Sequence, residues 1–207
     1  MIRKVFFLLL VCVLFFSASA SAADPLGYYL GGAGGIGSPE GMTVGFGNEA
    51  IFDRGPTLSL LGGYDFGFWR LEAEWNWRKN DISKVLVFEQ RTPSDGSVSA
   101  NSLLVNGYLE YENSTHFTPW LGAGIGVTDL DFNDLDEAGT ISEEEDLYLS
   151  LQLLVGASVG FYENFSAHVG YRALWVPEVK FEEPTFDSTS TENYVHQAVT
   201  VGLNYFF

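Results

Sequence analysis

The three histidines of this 207-residue chain are its best candidates for acid–base chemistry near neutral pH. His168 lies two residues after Ser166, and a hydroxyl within reach of a histidine is the minimum for nucleophilic acyl transfer. His196 has only Thr200 nearby, and His116 falls in a short polar stretch between apolar segments. Ser166 and His168 are therefore the only nucleophile–base pair that the sequence suggests.

A second group of candidates is the acidic stretch at residues 129–146. Its alternate acids, beginning at Asp129, resemble the ligand spacing of a calcium loop. The sixth position is Asp134, where an EF-hand needs glycine, and the twelfth is Thr140, where it needs glutamate. We therefore predict no metal site and no cofactor, and favour a solvated loop. Weak binding of divalent cations, or attraction to a basic partner, stays open as a hypothesis.

Charged residues also recur at every second position of apolar segments. In residues 69–78, tryptophan, leucine and alanine side chains share one face of a strand, and Arg70, Glu72 and Glu74 share the other. Burying that second face in a water-soluble sandwich would be costly, as would exposing the first. The same parity assigns an enclosed face to seven ionisable residues: Arg70, Glu72, Glu74, Glu110, His168, Arg172 and His196. Because isolated buried charges are costly, we predict that they pair as a structural network.

The segments that carry these residues are predicted to be strands in which apolar and polar side chains alternate. At the C-terminal end Val201, Leu203, Tyr205 and Phe207 share one parity, and the residues between them are polar or small up to Asn204. Eight such segments are predicted: residues 27–37, 57–65, 69–78, 98–112, 117–128, 147–162, 165–175 and 199–207. An apolar face outside and a polar face inside indicate an all-β fold, an eight-stranded antiparallel transmembrane β-barrel. An interior of that width is filled by side chains.

The connections alternate in length. Short turns fall at residues 65–67, 113–116 and 163–164, and longer polar loops at residues 38–56, 79–97, 129–146 and 177–192. Short turns on the periplasmic side and longer extracellular loops are typical of such barrels. Tryptophans near the strand ends are predicted to form the interfacial aromatic girdles: Trp69, Trp77, Trp120 and Trp175.

The N-terminus predicts export. Arg3 and Lys4 precede a short apolar run and then small residues, which is the pattern of a cleaved signal peptide over residues 1–23, with cleavage after Ala20 or Ala22 nearly as plausible. The barrel would then occupy residues 24–207. The only cysteine, Cys12, leaves with the leader, so no disulfide is expected. The net charge of −17 argues against nucleic-acid binding, which needs a basic surface.

Three segments carry a family resemblance. Residues 118–127, Thr-Pro-Trp-Leu-Gly-Ala-Gly-Ile-Gly-Val, resemble a strand of small outer-membrane barrels in which glycine occupies every second position after an aromatic residue. Residues 27–31 resemble their opening strand, and the Tyr-Phe-Phe end resembles their closing strand. The family is that of opacity-type adhesins and the OmpA-like transmembrane domain, and the resemblance covers nearly the whole mature chain. It implies location in the outer membrane and a salt-bridged interior.

The resemblance also implies partners. Val201, Leu203, Tyr205 and Phe207 would form the C-terminal signal read by the assembly machinery, with periplasmic chaperones acting before it. Lipid and lipopolysaccharide would surround a monomeric barrel, and host or other extracellular ligands would bind its loops. Since the sequence stops at Phe207, we expect no peptidoglycan-binding domain. The expected role is structural and adhesin-like.

Two alternatives stay open, a small channel and an enzyme. Related barrels that modify lipid A carry a lipid-facing Ser/His/acid set. Here parity directs Ser166 and His168 inward, and Gly170 stands where a deacylase-like pattern has serine. We therefore predict no catalytic residue.

Overall fold

The structure, a computed structural model, describes residues 26–44, 48–87, 90–93, 96–111, 113, 117–133, 147–183 and 188–207. The predicted signal peptide and the acidic residues 134–146 lie outside these ranges and stay predictions. The described residues form strands β1 Gly27–Pro39, β2 Met42–Val44, β3 Asn48–Phe52, β4 Gly55–Asp65, β5 Trp69–Val87, β6 Gln90–Pro93, β7 Ser97–Glu110, β8 Thr118–Asn133, β9 Leu147–Tyr162, β10 Phe165–Glu183 and β11 Ser188–Phe206. No helix in these ranges is long and apolar enough to cross a membrane.

Eight of the strands close into a barrel, as predicted. Each pairs antiparallel with its neighbours in the order β1, β4, β5, β7, β8, β9, β10, β11, and β11 pairs again with β1. Closure leaves these strands without a free edge over most of their length, so their backbone groups are satisfied within the sheet. The short strands β2, β3 and β6 extend the sheet beside the outer half of β5.

The outward face of the barrel is a continuous apolar band. Large side chains that a soluble protein would bury are more than half exposed on it, including Leu60, Leu103, Leu153 and Val201. At the end where β4 joins β5 by a short turn, called here the turn end, the band is bordered by aromatic contacts. Phe66 stacks on Trp69 with ring centroids 3.9 Å apart, and Tyr205 contacts Phe165 at 4.9 Å. An apolar band with an aromatic border is the exterior that lipid requires.

The short turn between β4 and β5 is made possible by a glycine and by local hydrogen bonds. Gly67 has a φ of 102°, in the left-handed region that glycine adopts without strain. Its N–H donates to Asp65 Oδ1 at 2.7 Å, and Phe66 N–H donates to Trp69 O at 3.0 Å. Local hydrogen bonds therefore fix the reversal.

The bounds of the four predicted loops are wrong in part. β5 runs on to Val87, β8 to Asn133, and β10 and β11 continue as a paired hairpin to Glu183 and from Ser188. Beyond the apolar band the outward positions become polar, so the apolar alternation that marks a membrane strand disappears while backbone pairing continues. The opposite end of the barrel, called here the loop end, therefore projects well past the band.

Inside the loop end lies an apolar cluster, composed of Val98, Leu104, Leu174, Val176, Val179 and Tyr194. A β-bulge in β10 maintains it: the register shifts between Val176 and Val179, and Glu178 has a φ of 55°. The extra residue lets both valines point inward, which strict alternation would prevent. Asn193 Oδ1 accepts the Glu178 N–H at 3.4 Å, so the bulge keeps a hydrogen-bond partner.

Substituting a charged residue on the lipid-facing side of β11 tests whether this part of the barrel lies in the membrane. We expect Val201→Arg to lower the free energy of unfolding in lipid vesicles by about 2–4 kcal/mol, because Val201 lies in the middle of the apolar band. Thr191→Arg, on the polar outer part of the same strand, is the matched control and should change it little. Equal effects of the two substitutions would contradict this placement of the bilayer.

Candidate functional site: the barrel interior

The centre of the barrel is organised around Glu74 of β5. Its carboxylate forms an ion pair with Arg172 of β10 and accepts a hydrogen bond from Ser59 Oγ of β4 at 2.8 Å. Asn106 of β7 and Gln152 of β9 donate to its other oxygen at 2.8 and 3.0 Å. Side chains from four other strands thus converge on one buried carboxylate, and every one of them reaches it because its strand position has inward parity.

Glu72 is the next carboxylate toward the turn end. It accepts the hydroxyl protons of Tyr29 and Tyr108, each at 2.7 Å, and a longer bond from Asn106 at 3.3 Å. Hydrogen bonds to an ionised carboxylate are stronger than neutral ones, and three of them offset much of the cost of its burial.

A third carboxylate, Glu110, pairs with Arg70 at 2.7 Å near the turn end. The Arg70 guanidinium lies 4.4 Å from the centroid of the Tyr108 ring and 5.6 Å from that of Tyr29. Cation–π contact with two rings holds the planar cation in place while Glu110 balances its charge. Glu72, Glu74 and Glu110 and the cations Arg70 and Arg172 thus lie in one connected polar layer.

No hydrogen bond between described residues joins the two inward histidines to that layer, although His168 lies close enough to feel the charges of Arg172, Arg70 and Glu74. His168 and His196 are buried, and His168 Nδ1 and His196 Nε2 have no hydrogen-bond partner among the described residues. Ser166 Oγ is likewise buried without a partner in that part of the chain, so Ser166 and His168 do not form a nucleophile–base pair. Glycines give the rings space: a Cβ at Gly202 would lie 2.4 Å from His168 Nε2, and one at Gly37 would lie 2.4 Å from His196 Cε1.

The prediction that Trp120 belongs to the aromatic girdle is wrong. Its side chain is 4% exposed and lies inside the barrel, where it contacts Tyr108 edge-on at 5.4 Å. A Cβ at Gly156 or Gly170 would lie 2.4 or 2.6 Å from its six-membered ring. The reason is parity: Trp120 shares its face of β8 with Gly122 and Gly124, whereas the apolar side chains of β8 point outward. The other three tryptophans of the predicted girdle lie on the outer face: Trp69, Trp77 and Trp175.

Several residues of the interior were missing from the predicted network. Asn106, Gln152 and Ser59 complete the Glu74 site, and Tyr29 and Tyr108 complete the Glu72 site. Their inward parity is readable from the sequence, but the predicted network consists of charged residues alone.

The residues of the predicted assembly signal, Val201, Leu203, Tyr205 and Phe207, lie on the outward face of β11 or at its end. Phe207 N–H donates to Tyr28 O at 2.9 Å, which joins the end of the chain to β1. Recognition by assembly machinery stays a prediction. In the described part of the chain, no three His, Cys, Asp or Glu side chains converge as metal ligands.

Similar solved structures have the same fold. The crystal structure of Neisserial surface protein A aligns with a TM-score of 0.59 at 15% identity, covering 87% of this chain and 97% of that protein. The outer membrane protein OprG from Pseudomonas aeruginosa aligns with a TM-score of 0.56 at 14% identity, covering 88% of this chain and 97% of OprG. A sequence search among curated proteins finds no match.

The sequence itself matches a family. Residues 8–207 fit the family described as "Outer membrane protein beta-barrel domain". The match includes every strand of the barrel and the interior polar layer. The chain therefore belongs to the outer-membrane protein β-barrel family, and it is an integral protein of the Gram-negative outer membrane.

Proposed function

We propose that this protein is a non-enzymatic barrel that contributes to the structure of the outer membrane and interacts with other molecules through its extracellular loops. In this proposal the interior polar layer closes the lumen. The observation that carries it is the Glu74 site, in which side chains from β4, β7, β9 and β10 meet a carboxylate from β5. Strands on opposite sides of the barrel are linked through one group, and such a link obstructs passage.

The projecting loop end supports the surface role. On β5 the outward residues change from Trp77 to the exposed Lys79 and Asp81, and on β8 they change from Val127 to Asp129 and Asp131. These strands carry a charged surface beyond the apolar band, where lipopolysaccharide and extracellular ligands are accessible. One structural neighbour is named a surface protein. The ligand itself would be determined by the loops.

Electrical recording tests the closed lumen. In planar bilayers we expect the wild-type protein to give no unit current steps, because an eight-stranded interior is just wide enough for side chains to fill it. The double variant Glu74→Ala/Arg172→Ala should give steps, since it removes the ion pair that joins β5 to β10. Regular steps from the wild type, equal to those of the variant, would contradict a closed lumen.

A lipid A measurement separates this proposal from an enzyme. We expect the mass spectrum of lipid A to be the same in cells with and without the protein. The inward, unpaired state of Ser166 and His168 gives no means of activating a hydroxyl toward lipid. A shift equal to one acyl chain would show an enzyme and would overturn the proposed role.

A further inference from the structure

Arg78 differs from the other buried arginines of the barrel. It is 2% exposed, and no carboxylate of the described residues pairs with it, whereas Arg70 pairs with Glu110 and Arg172 with Glu74. Its only hydrogen bond in this part of the chain is a long one, from Nη1 to Ser102 Oγ at 3.4 Å. A buried guanidinium cannot lose its proton, so a permanent charge lies here with no ion-pair partner among the described residues.

The nearest acid along the same face of β5, Glu74, attracts the Arg78 guanidinium electrostatically but forms no ion pair with it. Glu74 and Arg78 are four residues apart on an extended strand, so their Cα atoms are about 13 Å apart. The Glu74 carboxylate is also already engaged by Arg172, Ser59, Asn106 and Gln152. Among the described residues the interior is therefore polarised: the buried carboxylates lie from the centre to the turn end, and a cation without an ion pair lies toward the loop end.

The groups around Arg78 suit a small anion. Ser102 Oγ and Thr128 Oγ1 lie 2.9 Å apart, and either hydroxyl can turn its proton outward. His196 and Tyr194 both interact electrostatically with the guanidinium, and their rings stack at 6.3 Å. His196 Nε2 is buried without a partner in the described structure, so the tautomer protonated there would present a further donor. Tyr194 also belongs to the loop-end apolar cluster, which keeps water from screening the charge from that side.

We propose that Arg78 is the centre of an anion-binding site inside the loop end of the barrel, which takes a small monovalent anion, either a halide or a carboxylate group. The guanidinium supplies the charge, and His196 and one of the two hydroxyls, that of Ser102 or of Thr128, supply hydrogen bonds. The carboxylates farther in repel the anion, so the site lies at the outer end of the polar interior. This inference stands apart from the loop-binding role and does not require the lumen to conduct.

Bromide is the probe for the test. Crystals of the full-length mature protein grown in sodium bromide should show an anomalous peak within hydrogen-bond distance of the Arg78 guanidinium. In detergent micelles, bromide at constant ionic strength should raise the unfolding temperature relative to sulfate. Arg78→Gln should weaken bromide binding about tenfold or more, because a charge-assisted bond becomes a neutral one. Lys79→Gln removes the same charge from the adjacent, outward position and should leave binding unchanged.

Each outcome of these experiments either supports the proposed anion site or overturns it. Stabilisation by acetate but not bromide supports the site and assigns it to carboxylates. Absence of bromide beside Arg78 together with no stabilisation by acetate overturns it, as does the same anion dependence in wild type and Arg78→Gln. If Arg78→Gln fails to fold, the peak in wild-type crystals and the Lys79→Gln control decide the matter without it.

Discussion

Replacing Glu74 with alanine is expected to lower the free energy of unfolding by about 3–5 kcal/mol, among the largest effects of any single substitution in this barrel. The carboxylate is fully buried, and its loss leaves Arg172 as an uncompensated charge in the interior. Ser59 loses its acceptor as well, Asn106 and Gln152 each lose the shorter of their two hydrogen bonds, and these lost bonds add to the cost. The measurement is urea-induced unfolding of the protein refolded in lipid vesicles.

Two further variants show whether the charge is the cause. Glu74→Gln keeps the shape and one acceptor oxygen but removes the charge, so it should still be strongly destabilised through Arg172. Glu74→Ala/Arg172→Ala removes both charges and should be less destabilised than the sum of its single variants, because removing both partners leaves no unpaired ion. Additive effects would show that Glu74 and Arg172 act independently, against the geometry of the ion pair.

Much of this interior was predictable because a strand has a period of two. Parity alone directs Arg70, Glu72, Glu74, Glu110, His168, Arg172 and His196 to one face, and all seven side chains are buried in the structure. Parity does not give the position of a side chain along the barrel axis, and that position determines which side chains are in contact. Glu74 meets Arg172 across 98 residues of sequence because the register of eight strands brings them level, and that register is set by pairing around the whole ring.

The same dependence on strand register explains why the surroundings of Arg78 and the length of the strands at the loop end could not be predicted from the sequence. The sequence places Arg78 on the inward face with Glu74, but whether it meets a carboxylate depends on which strands lie level with it. The outer parts of β10 and β11 pair with each other beyond the lipid-facing band, as Val179 with Glu192 and Glu183 with Ser188. Backbone hydrogen bonds maintain this pairing, and they leave no trace in the alternation of apolar side chains.

Trp120→Ala is expected to cost about 3–5 kcal/mol of unfolding free energy, the range for removing a large buried aromatic side chain. The indole fills the space beside Gly156 and Gly170 and packs against Tyr108 and Leu154, so its removal leaves a cavity that two glycines cannot fill. Trp175→Ala is the matched control, because Trp175 is 41% exposed on the outer face and lipid can occupy the space. Its cost should be clearly smaller. Equal costs for Trp120→Ala and Trp175→Ala would indicate that Trp120 lies in the aromatic girdle and not in the interior.

Fluorescence quenching by brominated lipid distinguishes the two positions without relying on stability. A bromine atom in an acyl chain quenches only indoles that it can approach, and the wall of the barrel separates Trp120 from lipid. In variants that keep a single tryptophan, the others being replaced by phenylalanine, Trp175 should be strongly quenched and Trp120 weakly quenched. Strong quenching of Trp120 would contradict its inward position. Weak quenching together with a large cost for Trp120→Ala would show that Trp120 is part of the packed interior, in contact with Tyr108, whose hydroxyl binds Glu72.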